Sequence, residues 1–241
     1  ASDVYKRQDL NMYLLPALSK TSMLILAHFL LITAIFGQSS SSFSGELIYA
    51  ITKIDENKIQ SGFGNDHSHA EEKLIIYTKD SLVKRVYFNS ENGIQESIEH
   101  LTYAKKILLL SIDTMNYAVQ LPVNQKNHTD ELDSTYNLSK KCFPKVYFAG
   151  IKGKPMLLSH PMLSNKLQIW YSKKIHPKYN SVYAKLPGLP LKYYIASEKG
   201  LYLYELESFK RYDPPLSLFQ IPIGYDILSL EDFLNLLENQ K

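Results

Sequence analysis

The sequence predicts a mainly β protein, an antiparallel meander with one helix at its C-terminal end. Three observations lead to this prediction. Short runs rich in β-branched and aromatic residues follow one another along the chain, separated by polar or glycine-containing breaks. No long stretch with helical periodicity lies between those runs, so consecutive strands should pair antiparallel. Only the last residues carry a helical pattern.

The N-terminal region is predicted to stand apart from that domain. Residues 1–8 precede the first methionine and resemble adapter-derived sequence. Residues 23–36 form an uncharged apolar run, which fits the core of a secretory signal and is shorter than the ~20 residues of a membrane-spanning helix. We expect residues 1–37 to be removed, a Ser-rich linker at 38–44 and a single β-rich domain over 45–241. An uncleaved membrane anchor is the alternative.

The predicted strands fall into two groups. Tyr117 and Val119 alternate with Ala118 and Gln120, as in a half-buried strand. The first group of strands lies at 47–54, 73–79, 82–89, 94–103, 105–112 and 116–121, and the second at 145–150, 154–159, 166–172, 190–197 and 200–209.

Turn and loop signals separate the strands. Asn92 and Gly93 suit the left-handed backbone of a tight hairpin. Residues 56–70 and 123–139 are rich in polar residues and are predicted to be surface loops.

The C-terminal helix is predicted over residues 229–239. Ser229 followed by Asp232 is typical of a helix N-terminus. Apolar residues then recur at helical spacing, which predicts that the helix packs against the sheet or across its open side; they are Leu230, Phe233, Leu234 and Leu237.

Charge and cysteine content exclude some classes of function. The formal net charge is only +3, which favours no nucleic-acid partner. Cys142 is the only cysteine, so no intramolecular disulfide can form. We interpret it as a small apolar residue; a reactive thiol or an intermolecular disulfide is the alternative.

Candidate chemistry is sparse. His67 and His69 could face one metal ion from an extended segment, with a neighbouring carboxylate, although a polar loop is also an ordinary place for histidine. No nucleophile elbow, zinc-protease, Walker or dinucleotide-binding motif occurs. The sequence therefore identifies no catalytic residue, and we expect no cofactor.

Two features suit binding. The run 173–178 holds Lys173, Lys174 and Lys178, which could contact anionic lipid or an acidic partner or could simply solvate a loop. The chain also has 18 tyrosines, whose apolar rings and polar tips suit binding surfaces and ordinary strands alike.

Trp170 and Tyr171 are followed by a spacer and then by the run Leu186–Leu191, which contains Pro187, Gly188 and Pro190. With this pattern the chain, from about Gly45 to Tyr225 and most specifically in its second half, resembles the GLPGLI family of exported bacterial proteins. An aromatic pair ends one strand, a spacer follows, and a Pro/Gly-rich segment leads into the next strand. Two further elements, FAGIK (148–152) and LFQIPIGY (218–225), fit the family pattern. The matching residues are Gly150, Trp170, Tyr171, Pro187, Gly188, Leu189, Pro190, Phe219, Pro222, Gly224 and Tyr225.

This resemblance implies a curved half-barrel sheet like that of lipoprotein carriers, with helix over its concave side. It supplies no catalytic residues and no established activity. The leading expectation is an exported, non-catalytic envelope protein, periplasmic or extracellular, that binds a lipid or another hydrophobic ligand in the concave face. A protein–protein interaction module of the envelope is the alternative, and a metal-dependent hydrolase using His67 or His69 is third.

The Pro187–Gly188 pair is predicted to form a type II turn. Proline suits the first central position, and glycine suits the second, which requires a positive φ. Pro190 is then expected at the start of a strand in which Leu191, Tyr193 and Ile195 alternate.

Overall fold

The structure is a computed structural model that describes most of the chain after residue 41. Residues 41–241 form one compact unit. His67, His69, Cys142 and the predicted signal segment lie outside the described residues. The described residues are 42–54, 72–89, 93–112, 114–122, 136–140, 144, 146–161, 163, 165–183, 185–197 and 200–239.

The described chain forms one large open sheet with a single α-helix, which confirms the mainly β prediction. The strands are β1 (Gly45–Ile54), β2 (Glu72–Lys79), β3 (Leu82–Asn89), β4 (Gly93–His100), β5 (Lys105–Ile112), β6 (Met115–Leu121), β7 (Asn137–Lys140), β8 (Val146–Phe148), β9 (Ile151–Ser159), β10 (Leu167–Ser172), β11 (Leu189–Ser197), β12 (Gly200–Arg211) and β13 (Asp226–Ser229), and the helix is α1 (Leu230–Glu238).

Strand order follows chain order in two blocks. The order is β13-β6-β5-β4-β3-β2-β1-β12-β11-β10-β9-β7, with β8 also paired to β9. β1 joins the blocks because it pairs with both β2 and β12. The described strand pairs are antiparallel except β13 with β6, which run parallel. The predicted meander is therefore correct within each block, and β13 is the departure.

Strand boundaries follow the sequence pattern closely, with differences at β4, β7, β9 and β13. The run predicted at 145–150 ends at Phe148, and β9 begins at Ile151, three residues before the predicted start at 154. β3 and β5 have the predicted bounds. The run predicted at 94–103 ends at His100, because 101–104 form a turn in which Ala104 has a φ of 49°. β7 lies partly inside the loop predicted at 123–139, and β13 was not predicted.

The segment 173–188, which connects β10 to β11, packs onto the core of the sheet. Its side chains Ile175, Tyr179, Tyr183 and Leu186 are buried in the same cluster as Leu47, Tyr49 and Tyr193, on β1 and β11. Among the described residues, this segment packs on that cluster, whereas the C-terminal helix belongs to a different one.

Tyr179 is held by backbone groups from distant parts of the chain. Its hydroxyl donates to the Asp80 carbonyl over 3.0 Å and accepts from the Phe43 backbone N–H over 2.9 Å. Arg85 donates to the Tyr179 carbonyl over 3.2 Å. A buried hydroxyl with both bonds satisfied fixes the segment against β2 and β3.

Tyr183 joins the same segment to β11. β10 and β11 pair only at residues 170–172 and 189–192. Beyond that point, the Tyr183 hydroxyl accepts from the Tyr194 N–H over 3.3 Å and donates to the Tyr194 carbonyl. The side chain therefore satisfies backbone groups that a partner strand would otherwise satisfy.

Residues 212–239, which we call the C-terminal arm, cover both faces of the other end of the sheet. Phe219 packs on Ile98, Leu109 and Ala118. β13 then adds to the edge of β6, and α1 packs Phe233 on the opposite face.

The predicted helix is present. The Ser229 hydroxyl accepts from the Asp232 N–H over 3.1 Å and caps α1. The rings of Phe233 and Tyr117 meet edge to face, with centroids 5.6 Å apart. Among the described helices, none is long and apolar enough to cross a membrane.

Candidate functional site

Charge is distributed very unevenly along the chain, although the whole is nearly neutral. Residues 134–197 contain eleven lysines and no aspartate or glutamate. Because acidic segments elsewhere offset these lysines, the net charge of the whole chain does not reveal this strongly basic region. The described residues of this region belong to β7 to β11 and to parts of the segments between them.

A tight hairpin brings the first basic residues next to an exposed aromatic ring. Ala149 and Gly150 have φ values of 46° and 78°. Two consecutive positive φ angles are the geometry of a two-residue type I′ turn, for which Gly150 is suited. The turn pairs β8 with β9, so Tyr147 lies opposite Lys152. Tyr147 is 65% exposed.

The next strand pair adds three more lysines. Lys154 lies two residues beyond Lys152 on β9, so both point to the same side of the strand. It is paired with Tyr171, two residues before Lys173. Lys173 and Lys174 form the turn after β10 and are exposed. We call Tyr147, Lys152, Lys154, Lys173 and Lys174 the lysine surface.

The base of this surface is rigid. A Cβ atom added at Gly188 would lie 2.2 Å from the Ser172 carbonyl oxygen, so the two backbones touch. The Leu189 N–H donates to the Ile175 carbonyl over 3.1 Å. Both contacts hold the start and end of the segment 173–188 together, directly behind Lys173 and Lys174.

These contacts correct the predicted type II turn. The backbone of Gly188 is not in the positive φ region, and Leu189 bonds to Ile175 instead of closing a turn. Glycine is required because of the close approach to Ser172. Pro190 is the second residue of β11, as expected near a strand start, and its carbonyl accepts from the Tyr49 hydroxyl over 2.8 Å.

The predicted basic run 173–178 is divided by Ile175, which is buried. Beyond it, the Lys178 ammonium lies 5.0 Å from the centre of the Tyr179 ring. The Nδ1 of His176 accepts from the Lys178 backbone N–H over 3.0 Å. Burial, and secondly the Lys178 charge, lower the pKa of His176.

Within the described chain, no carboxylate pairs with the four lysines of the lysine surface. Some lysines elsewhere are paired, for example Lys192 with Glu205 at 2.7 Å and Lys84 with Glu96 at 2.7 Å. An exposed group of uncompensated ammonium charges attracts anionic groups. This surface can therefore bind carboxylates, and Tyr147 adds an apolar ring with a hydroxyl.

The family-pattern residues occupy structural positions. Trp170 packs on Phe148, with ring centroids 5.7 Å apart. Tyr171 and Leu189 are buried in the core, and Phe219, in the C-terminal arm, packs on the sheet. Gly224 has a φ of 89° in an exposed turn. Pro187 and Pro222 are exposed, and Tyr225 is partly buried.

No metal site is visible in the part of the chain that the structure describes, which lacks any group of three or more His, Cys, Asp or Glu residues placed to hold an ion. The candidate ligands His67 and His69 lie outside that part. The signal that could have identified the lysine surface is local charge: counting acidic and basic residues by segment separates 134–197 from the rest.

Comparisons with known proteins give only a distant likeness. No family model matches the chain, and no curated protein matches it. A chain of the crystal structure of MucB in complex with MucA(peri) is similar at 13% identity and a TM-score of 0.41, over 85% of this chain and 62% of that chain. A chain of the complex structure of Pseudomonas aeruginosa MucA/MucB is similar at 13% identity and a TM-score of 0.41, over 79% of this chain and 60% of that one. The chain spans about three fifths of the length of these neighbours.

Proposed function

We propose that the protein is a non-catalytic binding module of the cell envelope that recognises an acidic segment of a partner protein through the lysine surface. The observation that carries this proposal is the group of four exposed lysines without carboxylate partners beside the exposed ring of Tyr147. Export and membership of the GLPGLI family are part of the proposal; the apolar run 23–36 and the motif residues support them.

The chemistry of the surface favours a protein partner. Ammonium groups bind carboxylates, and a tyrosine offers a ring for apolar contact together with a hydrogen-bonding hydroxyl. Such rings are frequent anchors in protein interfaces.

A hydrophobic ligand inside the sheet has less support. The side chains of Tyr49, Tyr179 and Tyr193 are almost completely buried and lie in one core cluster with Ile175 and Leu186. A lipid chain would have to displace the segment 173–188, which the Tyr179 and Tyr183 hydroxyls tie to the backbone. We therefore place the binding activity at the exposed lysine surface and not in the core of the sheet.

The proposal is tested with a fluorescent polyglutamate peptide and vesicles of phosphatidylglycerol. We expect the peptide to bind in an anisotropy titration and its affinity to fall with added salt. Each exposed charge pair contributes roughly 0.2–1 kcal/mol. The variant K152Q/K173Q/K174Q should therefore weaken binding about tenfold, which corresponds to about 1.4 kcal/mol.

The matched control is K53Q/K105Q, which removes two exposed lysines outside residues 134–197. It should bind the peptide like the wild type. Binding of vesicles but not of peptide would overturn the proposal in favour of a membrane surface. Equal loss of peptide binding in both variants would show that net charge, and not this surface, is responsible.

A further inference from the structure

The C-terminal arm has the opposite charge to the lysine surface. Residues 212–239 contain five carboxylates and no lysine, arginine or histidine. Asp213 pairs with Lys79 at 2.7 Å, and the Asp232 carboxylate accepts from the Ser229 hydroxyl. The described chain pairs no basic residue with the exposed Asp226, Glu231 and Glu238.

The same arm exposes apolar side chains. β13 stands at one end of the strand order and pairs only with β6, within the described strands. Its Ile227 is 56% exposed, and Leu234 on α1 is 50% exposed. Ile223, in the turn before β13, is fully exposed. The edge strand and the outer side of α1 therefore form an apolar surface bordered by carboxylates.

The apolar surface of the C-terminal arm and the lysine surface lie at opposite ends of the strand order. β13 begins the strand order, whereas β9, which carries Lys152 and Lys154, lies at the other end. Each copy thus presents an acidic, apolar surface at one end and a basic surface with an exposed tyrosine at the other.

We propose that the protein associates with itself head to tail, the C-terminal arm of one copy binding the lysine surface of a second copy. The proposal rests on the proposed function, because it names the acidic partner of the lysine surface as a second copy of this chain. Complementary charge makes the arm carboxylates Asp226, Glu231 and Glu238 partners for lysines on the next copy. Because the two surfaces differ, the contact is heterologous and builds an open chain or a closed ring.

Sedimentation velocity of the wild type and two neutralised variants tests the proposal. K152Q/K173Q/K174Q removes charge from the lysine surface. D226N/E231Q/E238Q removes charge from the arm and spares Asp232, which bonds to the cap residue Ser229. The wild-type average mass should rise with concentration at about 50 mM salt and fall at about 500 mM, where screening shortens to a few ångströms. Each variant alone should be monomeric.

Mixing the two variants is the decisive step. Each keeps one intact surface, so an equimolar mixture should form a 1:1 heterodimer and nothing larger. The control K53Q/K105Q should associate like the wild type, and circular dichroism should show the same fold for every variant. A monomeric wild type at all concentrations, or self-association that neither variant weakens, would overturn the inference.

The polyglutamate titration separates this inference from the proposed function. A monomeric protein whose lysine surface still binds the peptide would overturn self-association and leave the proposed function standing. A monomeric protein that does not bind the peptide would overturn both.

Discussion

The carbonyl oxygen of Ser172 stands 2.2 Å from the position that a Cβ atom on Gly188 would occupy. Real Cβ contacts are never so short, so only glycine fits without moving the backbone of β10. The contact closes the base of the segment 173–188, which contributes buried side chains to the core and carries the exposed Lys173 and Lys174. Gly188 was predicted to form a turn, but glycine is required at this position because the two backbones lie too close for a side chain.

Substitutions at Gly188 distinguish two reasons for glycine at this position, the close approach to Ser172 and a positive φ. Gly188→Ala should lower the free energy of unfolding by about 2 kcal/mol, the usual cost of forcing atoms into a packed site. Gly188→Asn should cost at least as much, measured by urea denaturation. If a positive φ were the reason for glycine, asparagine would be tolerated much better than alanine. Pro187→Ala, at an exposed position, is the control and should change stability little.

The hydroxyl of Tyr183 is expected to contribute measurably to the stability of the fold, although Tyr183 lies in a loop. Tyr183→Phe leaves the Tyr194 N–H and carbonyl without their buried partner. Leaving buried polar groups unpaired costs about 1–3 kcal/mol. Tyr147→Phe removes an exposed hydroxyl and should have no measurable effect on the melting temperature. Equal stability of the two variants would contradict this account of Tyr183.

Docking of α1 depends on one ring. Phe233 is buried against Tyr117, whereas the neighbouring Leu234 is half exposed. Phe233→Ala should destabilise the protein by about 3 kcal/mol, because a large buried side chain is lost. Leu234→Ala should cost much less in the same thermal melts. Similar losses at both positions would mean that α1 does not pack as described.

Acid should weaken the segment beside the lysine surface through His176. Its pKa in the folded protein lies below the ordinary value of 6.5, because burial and the Lys178 charge disfavour the protonated form. The unfolded chain therefore binds the proton first, so stability falls as pH drops below about 6.5. His176→Asn keeps a side-chain acceptor for the Lys178 N–H but cannot titrate there. Denaturation at pH 5 and pH 7.5 should show a smaller loss for the variant than for the wild type.

The sequence predicts the regular parts of the fold well. Long strands such as β3 and β5 carry enough alternating apolar residues to be recognised alone, and Ser229 and Asp232 mark the start of α1. β7 and β13 have four residues each, and they form strands because β7 pairs with β9 and β13 pairs with β6. Such long-range pairing leaves no local pattern in so short a segment.

The role of the segment 173–188 was harder to predict. Its buried residues Ile175, Tyr179, Tyr183 and Leu186 recur at spacings of three or four, but the prolines and lysines among them indicate a solvent loop. The candidate site was identified only in part: the sequence pointed to Lys173 and Lys174 but not to Tyr147, Lys152 and Lys154. The register of β8, β9 and β10 is what places those three residues near the turn that carries Lys173 and Lys174.

The most direct test of the central claim is to map where an acidic peptide binds, by ¹⁵N–¹H correlation spectra of the labelled protein during titration with polyglutamate. The account predicts that the largest shifts occur at residues 146–154 and 171–175. It also predicts that Phe88 and Ile94, an exposed apolar pair on β3 and β4, stay unchanged. Shifts confined to β3 and β4, or the absence of any shift at the lysine surface, would contradict the claim that this surface is the binding site.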